Sequence, residues 1–190
     1  MTEFNVDNAI VQLHAGAAYV NRNGNHPYGN GGCAHYVKLA IKAGGINLFY
    51  VNIVPACEYG PILVENDFAE KEEEDFKKEG YVYQKGDVVI IQPYTDQSPA
   101  YGHMEMFDGV NWVSDFIQPK NVHKDDPEGF YHGPSYRRDK PHACVYRHGG
   151  YGDSDNQPVE EAPESEPEDK SYLPDICYPI PADSSGREFS

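Results

Sequence analysis

Cys33 follows a run of small residues, Gly29-Asn30-Gly31-Gly32, and opens the stretch CAHYVKLAIKA, whose apolar positions recur at helical spacing. That places a thiol in the first turn of a helix. There, unpaired backbone amides and the helix dipole favour a thiolate. The same amides can hold the oxyanion formed when sulfur attacks a carbonyl, and the small residues upstream let a substrate backbone come close. The pattern also fits a small thiol buried on an apolar stripe.

His103 separates these readings. It opens the strand-like segment HMEMF directly after the loop PYTDQSPAYG. A ring at a strand start can face a helix terminus, and a Cys at a helix start with a His at a strand start is what a thiol nucleophile and its base require. His14 and His35 lie on helices among polar neighbours, His26 precedes a proline, and His123, His132, His142 and His148 fall in loops or at element ends.

A third group should hold the imidazole in its working tautomer. Asp115 and Ser114 are the candidates, and the hairpin at Asp108-Gly109 decides between them. A two-residue loop puts position 114 opposite His103, a three-residue loop puts 115 there, and a slip of one residue flips the face. Chemistry favours Asp115, because a carboxylate both orients and stabilises an imidazolium. Glu105, two residues along the face of His103, is the third choice.

The elements that must position these residues are readable from periodicity. Val6, Ile10, Leu13, Ala17 and Val20 share one face of a helix over residues 5–22. A second helix runs from Cys33 to about Ala43 and stops at Gly44-Gly45, with Cys33, Val37 and Ile41 facing the core and His35, Lys38 and Lys42 pointing elsewhere. Pro55 to Phe68 reads as a third, shorter helix with Ile62 and Leu63 inward. The run AEKEEEDFKKEG reads as a solvated segment.

Strands are expected at Asp87 to Gln92, buried on both faces, at Gly102 to Phe107, at Val110 to Phe116 and at Ala143 to Arg147. Lys120 to Pro141 reads as irregular. Helices first and an antiparallel meander after make an α+β layout, with N-terminal helices packed on an antiparallel sheet.

The chain has 190 residues with a formal charge of −16. Residues 149–190 carry 11 acidic and 2 basic residues in a Pro- and Ser-rich composition. Such a segment offers too little apolar surface to fold. One domain is therefore expected over residues 1–148, with a flexible acidic tail over 149–190. The charge argues against nucleic acid or an anionic membrane surface as partner, and is compatible with a basic protein partner. No apolar stretch approaches the ~20 residues that span a bilayer.

The amino terminus, MTEFNVDNAIVQLHAG, lacks the pattern of a secretory signal, so synthesis in the cytoplasm is expected. Cys33, Cys57, Cys144 and Cys177 show no C-x-x-C spacing, and there is no H-E-x-x-H. Reduced thiols, no metal and no cofactor are expected.

The segments GGCAHYVKLAIKAGG, GDVVIIQP and GHMEMFDGVNWVSDF resemble the CHAP family of cysteine, histidine-dependent amidohydrolases and peptidases, in the NlpC-like branch of papain-fold enzymes. More narrowly, C-A-x-Y-V and G-H-x-x-M-x-D-G-x-x-W-x-S-D-F are similar to peptidoglycan amidase effectors of the type VI secretion system and their phage-lysin relatives. The resemblance covers roughly residues 5–147. It implies a papain-like fold, Cys33 as nucleophile, His103 as base, and cleavage of amide bonds in the peptide stem of peptidoglycan through a thioester. It further implies a cognate immunity protein, and with the missing signal it suggests delivery to the periplasm or cell wall of a target bacterium. Two other readings remain: a thiol hydrolase acting on protein amide or isopeptide bonds, and a non-catalytic partner-binding module with Cys33 merely buried.

Overall fold

The structure, a computed structural model, describes residues 4–24, 32–48, 55–78, 81–96, 98, 100–118, 126, 128–131 and 133–150. All of them fall in one unit, Met1–Pro158, and the second unit, Val159–Ser190, lies outside the described residues. Of the tail expected over 149–190, everything from residue 151 onward is likewise outside them.

Helix α1 (Val6–Gly24) and helix α2 (Cys33–Ala43) pack side by side on one face of a sheet. Ile10, Leu13 and Ala17 of α1 are buried, as the 3.6-residue period requires, and Val6 is half-buried against the same cluster. From α2, Val37, Ala40 and Ile41 join Cys33 inside. The helix stops at the expected glycines. Gly45 takes φ of 106°, and the amides of Gly45 and Ile46 return to the carbonyls of Lys42 and Ile41. Lys38, expected to point away from the core-facing stripe, is not left exposed by that. It is buried, with its ammonium 5.2 Å over the Tyr59 ring, a placement its long stem allows.

The segment expected as one helix over 55–68 divides into a 3-10 turn (Ala56–Glu58), the short helix α3 (Gly60–Val64) and the start of a strand. Leu63 is buried and Ile62 packs at the core margin. The charged run is more ordered than its composition suggests: Phe68–Lys71 forms strand β1, and Glu73–Phe76 forms the one-turn helix α4, which buries Phe76.

Strands β2 (Val88–Ile91), β3 (His103–Phe107), β4 (Trp112–Val113), β5 (Ile117–Gln118) and β6 (Ala143–His148) complete a six-stranded sheet in the order β1-β6-β2-β3-β4-β5. Every pairing is antiparallel. The architecture is therefore α+β. It is a meander only from β2 to β5, because β6 returns between β1 and β2. A further helix, α5 (Gly133–Asp139), lies in the stretch expected to be irregular.

β2 is buried on both faces, which explains its unbroken Val-Val-Ile-Ile. Val88 and Ile90 meet the helices together with Met104 and Met106 of β3, while Val89 and Ile91 meet an aromatic layer of Phe76, Phe107, Trp112, Phe130, Tyr131 and Tyr136. The many tyrosines are thus partly core residues. Among the described residues, no helix is long and apolar enough to cross a membrane.

The strand expected over 110–116 is not continuous. Asp108 Oδ1 accepts the amides of Val110 and Asn111, and the Asp108 amide reaches the Asn111 carbonyl. This Asx-type turn consumes four residues, so pairing resumes only at Phe107 opposite Trp112. Two residues later the chain turns again at 114–116, with Trp112 and Val113 pairing to Gln118 and Ile117.

Candidate active site

The sequence places Cys33 at the first residue of α2, and the structure has it there, buried. No side chain caps the helix; Gly32 precedes it and its carbonyl accepts the Tyr36 amide. The backbone amides of Met104, on β3, and of Ala34 donate toward the Cys33 sulfur. Met104 follows His103, so the helix start and the strand start meet at one place.

Gly102, just before His103, carries φ of 65°, and a Cβ there would lie 2.5 Å from the Ile91 carbonyl oxygen and 2.7 Å from Cys57 Cβ. Only glycine lets the chain enter β3 this closely.

His103 is 6% exposed, and its Nε2 is 2.6 Å from Glu105 Oε1, a contact along one strand face that becomes an ion pair only when the ring is protonated. Its ring lies 6.2 Å from each of the Phe116 and Tyr136 rings, which wall it on the aromatic side. Glu105 is fully buried. Burial holds its carboxyl well above the usual carboxylate range, and the charges of Asp126 and Asp115 add to this. A carboxyl desolvated this far is disfavoured as an anion until a cation forms beside it.

Asp115 reaches the site by a route the register argument did not contain. With a four-residue loop, the ladder carried back from Phe107 and Trp112 puts Phe116, and neither Ser114 nor Asp115, opposite His103. Asp115 instead sits in the 114–116 turn, where the Ser114 amide bonds the Phe116 carbonyl. From there Asp115 Oδ2 accepts the Gly32 amide at 3.1 Å and Oδ1 accepts the Ser114 hydroxyl at 3.1 Å. It fixes the residue just before Cys33. All five residues singled out by sequence (Cys33, His103, Glu105, Ser114 and Asp115) are buried; the charges of Asp115 and Glu105 act on Cys33, His103 touches Glu105, and Ser114 bonds Asp115.

The thiolate expected at the helix start does not follow. Burial pushes the Cys33 thiol up to about 12, with the charges of Asp115 and Glu105 adding, against which the amides of Met104 and Ala34 act only in part. Desolvation outweighs the helix terminus here. The resting sulfur is a thiol, so proton removal has to accompany attack.

Asp126, which carried no sequence signal, shapes the wall near this site. Its carboxylate accepts the amides of Gly129 and Tyr131, holding buried Phe130 and Tyr131 in place. Cys33, Cys57 and Cys144 are free thiols. Among the described residues, the side chains grouped closely enough to hold a metal ion are Glu72, His142 and Cys144, away from Cys33.

No protein-family model matches the chain, and no curated protein does. Two solved structures are similar to it, both of the type VI effector-immunity complex Tae3-Tai3 from Ralstonia pickettii. The native form is 34% identical over 74% of this chain and 98% of that one, with a TM-score of 0.53. The selenomethionine form is 38% identical over 69% of this chain and 97% of that one, with a TM-score of 0.50.

Proposed function

This chain belongs to the family of the type VI effector Tae3, and from that premise we propose that it is a cysteine amidase of the peptidoglycan stem peptide. The observation that carries the reading is the meeting of the α2 start with the β3 start: the Cys33 sulfur lies against the amide of the residue that follows His103. A thiol hydrolase needs its sulfur close to an imidazole, and this contact brings the sulfur to the strand end that carries His103.

In this reading Cys33 attacks the stem-peptide carbonyl as His103 takes its proton. Backbone amides at the head of α2 stabilise the oxyanion. The amine leaves with the proton returned by His103, and water then releases the acyl group from sulfur. The CHAP and NlpC kinship of the motifs belongs to the same proposal. So do delivery to the periplasm of a target bacterium and a cognate immunity protein, since the similar structures are effector-immunity complexes. An isopeptide substrate is the competing activity.

Digestion of purified sacculi, with fragments read by mass spectrometry, is the direct test. New free amines and shortened or uncrosslinked stems are expected. Intact sacculi at high enzyme concentration, alongside turnover of an isopeptide substrate, would move the activity to the competing class.

The two carboxylates are assigned different roles. Glu105, on Nε2, orients the ring and receives the imidazolium; Asp115, on the Gly32 amide, positions the nucleophile. Glu105→Gln removes the counterion and should lower kcat by roughly 10²-fold with little change in KM. Asp115→Asn keeps an oxygen for the Gly32 amide, and one altered hydrogen bond of about 1 kcal/mol predicts a loss near tenfold or less. Steady-state kinetics on a soluble stem fragment reads both. A larger loss in Asp115→Asn than in Glu105→Gln would exchange the two roles.

A further inference from the structure

A second cluster of reactive side chains lies where β1, β6 and the turn into α4 meet. Glu72 follows β1, His142 precedes β6, and Cys144 is on β6. The β1–β6 register pairs Lys71 with Val145, so the next step sets Glu72 against Cys144. His142 and Cys144, two apart, share a strand face. The donor atoms converge: His142 Nε2 is 3.0 Å and Cys144 Sγ 3.3 Å from Glu72 Oε2, and Sγ is 4.0 Å from His142 Nδ1.

We propose that Glu72, His142 and Cys144 form a binding site for a zinc-class divalent cation that ties edge strand β1 to β6. Sulfur, imidazole nitrogen and carboxylate oxygen are the donor set that such an ion prefers over calcium or magnesium. Donors bonded at about 2.0–2.3 Å to a tetrahedral ion stand roughly 3.3–3.8 Å apart, so the present spacing needs only side-chain adjustment to present one ring nitrogen.

The backbones that carry the donors are fixed. The Gln92 amide bonds the His142 carbonyl, the amides of Asp75 and Phe76 bond the Glu72 carbonyl, and Cys144 pairs with Ile90. Glu70, on the same face of β1 as Glu72, also bonds the Cys144 thiol and offers a fourth donor, which would close the sphere as in structural zinc sites.

Binding exchanges the Cys144 thiol proton for the cation, releasing one proton to solvent. Without a cation that proton is firmly held: burial, then hydrogen bonding and charge from Glu72 and Glu70, push the thiol up to about 12. The site is separate from the Cys33 region. Cys144 pairs with Ile90, and Ile90 with Met104, so two strand steps of about 4.8 Å each lie between them.

The test uses the full chain, stripped with chelator and titrated with Co²⁺ as an optical probe. One equivalent is expected to bind with a sulfur-to-cobalt charge-transfer band and the visible bands of a tetrahedral ion. Zn²⁺ should displace it and raise Tm. Cys144→Ser and His142→Gln should each lose the band and the rise in Tm, and Cys33→Ser should keep both. His142 is about half exposed, so its variant tests the site without disturbing the core. No band in excess Co²⁺, a band that survives Cys144→Ser or His142→Gln, or one lost with Cys33→Ser would overturn the proposal.

Discussion

Cys33→Ala is expected to reduce sacculus hydrolysis to background, a loss of roughly 10⁴-fold or more, while the protein stays folded. The size follows from the role: Cys57, though close to Gly102, turns its sulfur to the Ala100 carbonyl and is not at an α-helix start, and Cys144 is two strands away. Folding should survive because only a sulfur is removed from a packed site, which costs on the order of 1 kcal/mol.

The same variant has a signature at high pH. A thiol raised from 9.0 to about 12 in the folded state keeps its proton where the unfolded chain has lost it. Between those values the native state binds more protons, so stability falls as pH rises, by up to about 1.4 kcal/mol per pH unit for this one group. Cys33→Ala removes that contribution, and the alkaline limb of its Tm-against-pH curve should be shallower than in the parent protein. An alanine variant that still digests sacculi would leave Cys33 as a buried structural thiol and return the non-catalytic module as the better reading.

Which parts of this arrangement are legible in sequence depends on where the determining force acts. The α2 boundaries and the stripe of Cys33, Val37 and Ile41 are local matters of periodicity and two glycines, and they read directly. β2 reads from four consecutive β-branched residues. β1 does not, because Phe-Ala-Glu-Lys is a polar edge whose strand character comes from pairing with β6, about 75 residues later. The 110–116 segment has strand composition, yet the Asp108 side chain caps its start and leaves Val110 67% exposed.

At the candidate site, residue type and placement singled out Cys33 and His103, and face alternation was enough to mark Glu105. Carboxylate chemistry favoured Asp115 over Ser114, and the four-residue loop replaces both of the registers that were to decide between them. Burial is what sequence could not supply. It reverses the expected ionisation of Cys33 and raises Glu105, and both effects arise from elements distant in the chain. The Glu72, His142 and Cys144 group was hidden for the same reason, its donors lying some 70 residues apart with no motif spacing.

Asp87→Ala should be the most destabilising polar substitution in the sheet, by about 3–5 kcal/mol. Asp87 is fully buried at the entrance to β2, and its two oxygens accept Nε and Nη2 of Arg147 at 2.7 and 2.8 Å. Oδ2 also accepts the Gln84 amide, and the Asp87 carbonyl accepts the Phe107 amide. Arg147 Nη2 bonds the Val82 carbonyl as well, so this pair fastens the 81–87 loop to β6. Alanine would leave a guanidinium, 7% exposed, with its charge uncompensated inside the protein.

Against a typical total of about 5–15 kcal/mol, that loss predicts a Tm lower by roughly 10 °C and a smaller urea midpoint with unchanged m. The double variant Asp87→Ala/Arg147→Met removes both charges and should regain most of the loss. Because Asp87 and His103 pair at opposite ends of the β2–β3 ladder, the folded fraction of Asp87→Ala should keep its hydrolytic rate at low temperature. A single variant within about 1 kcal/mol of the parent, or a double variant no more stable than the single, would show that solvent reaches this pair and that the loop is held by its backbone bonds instead.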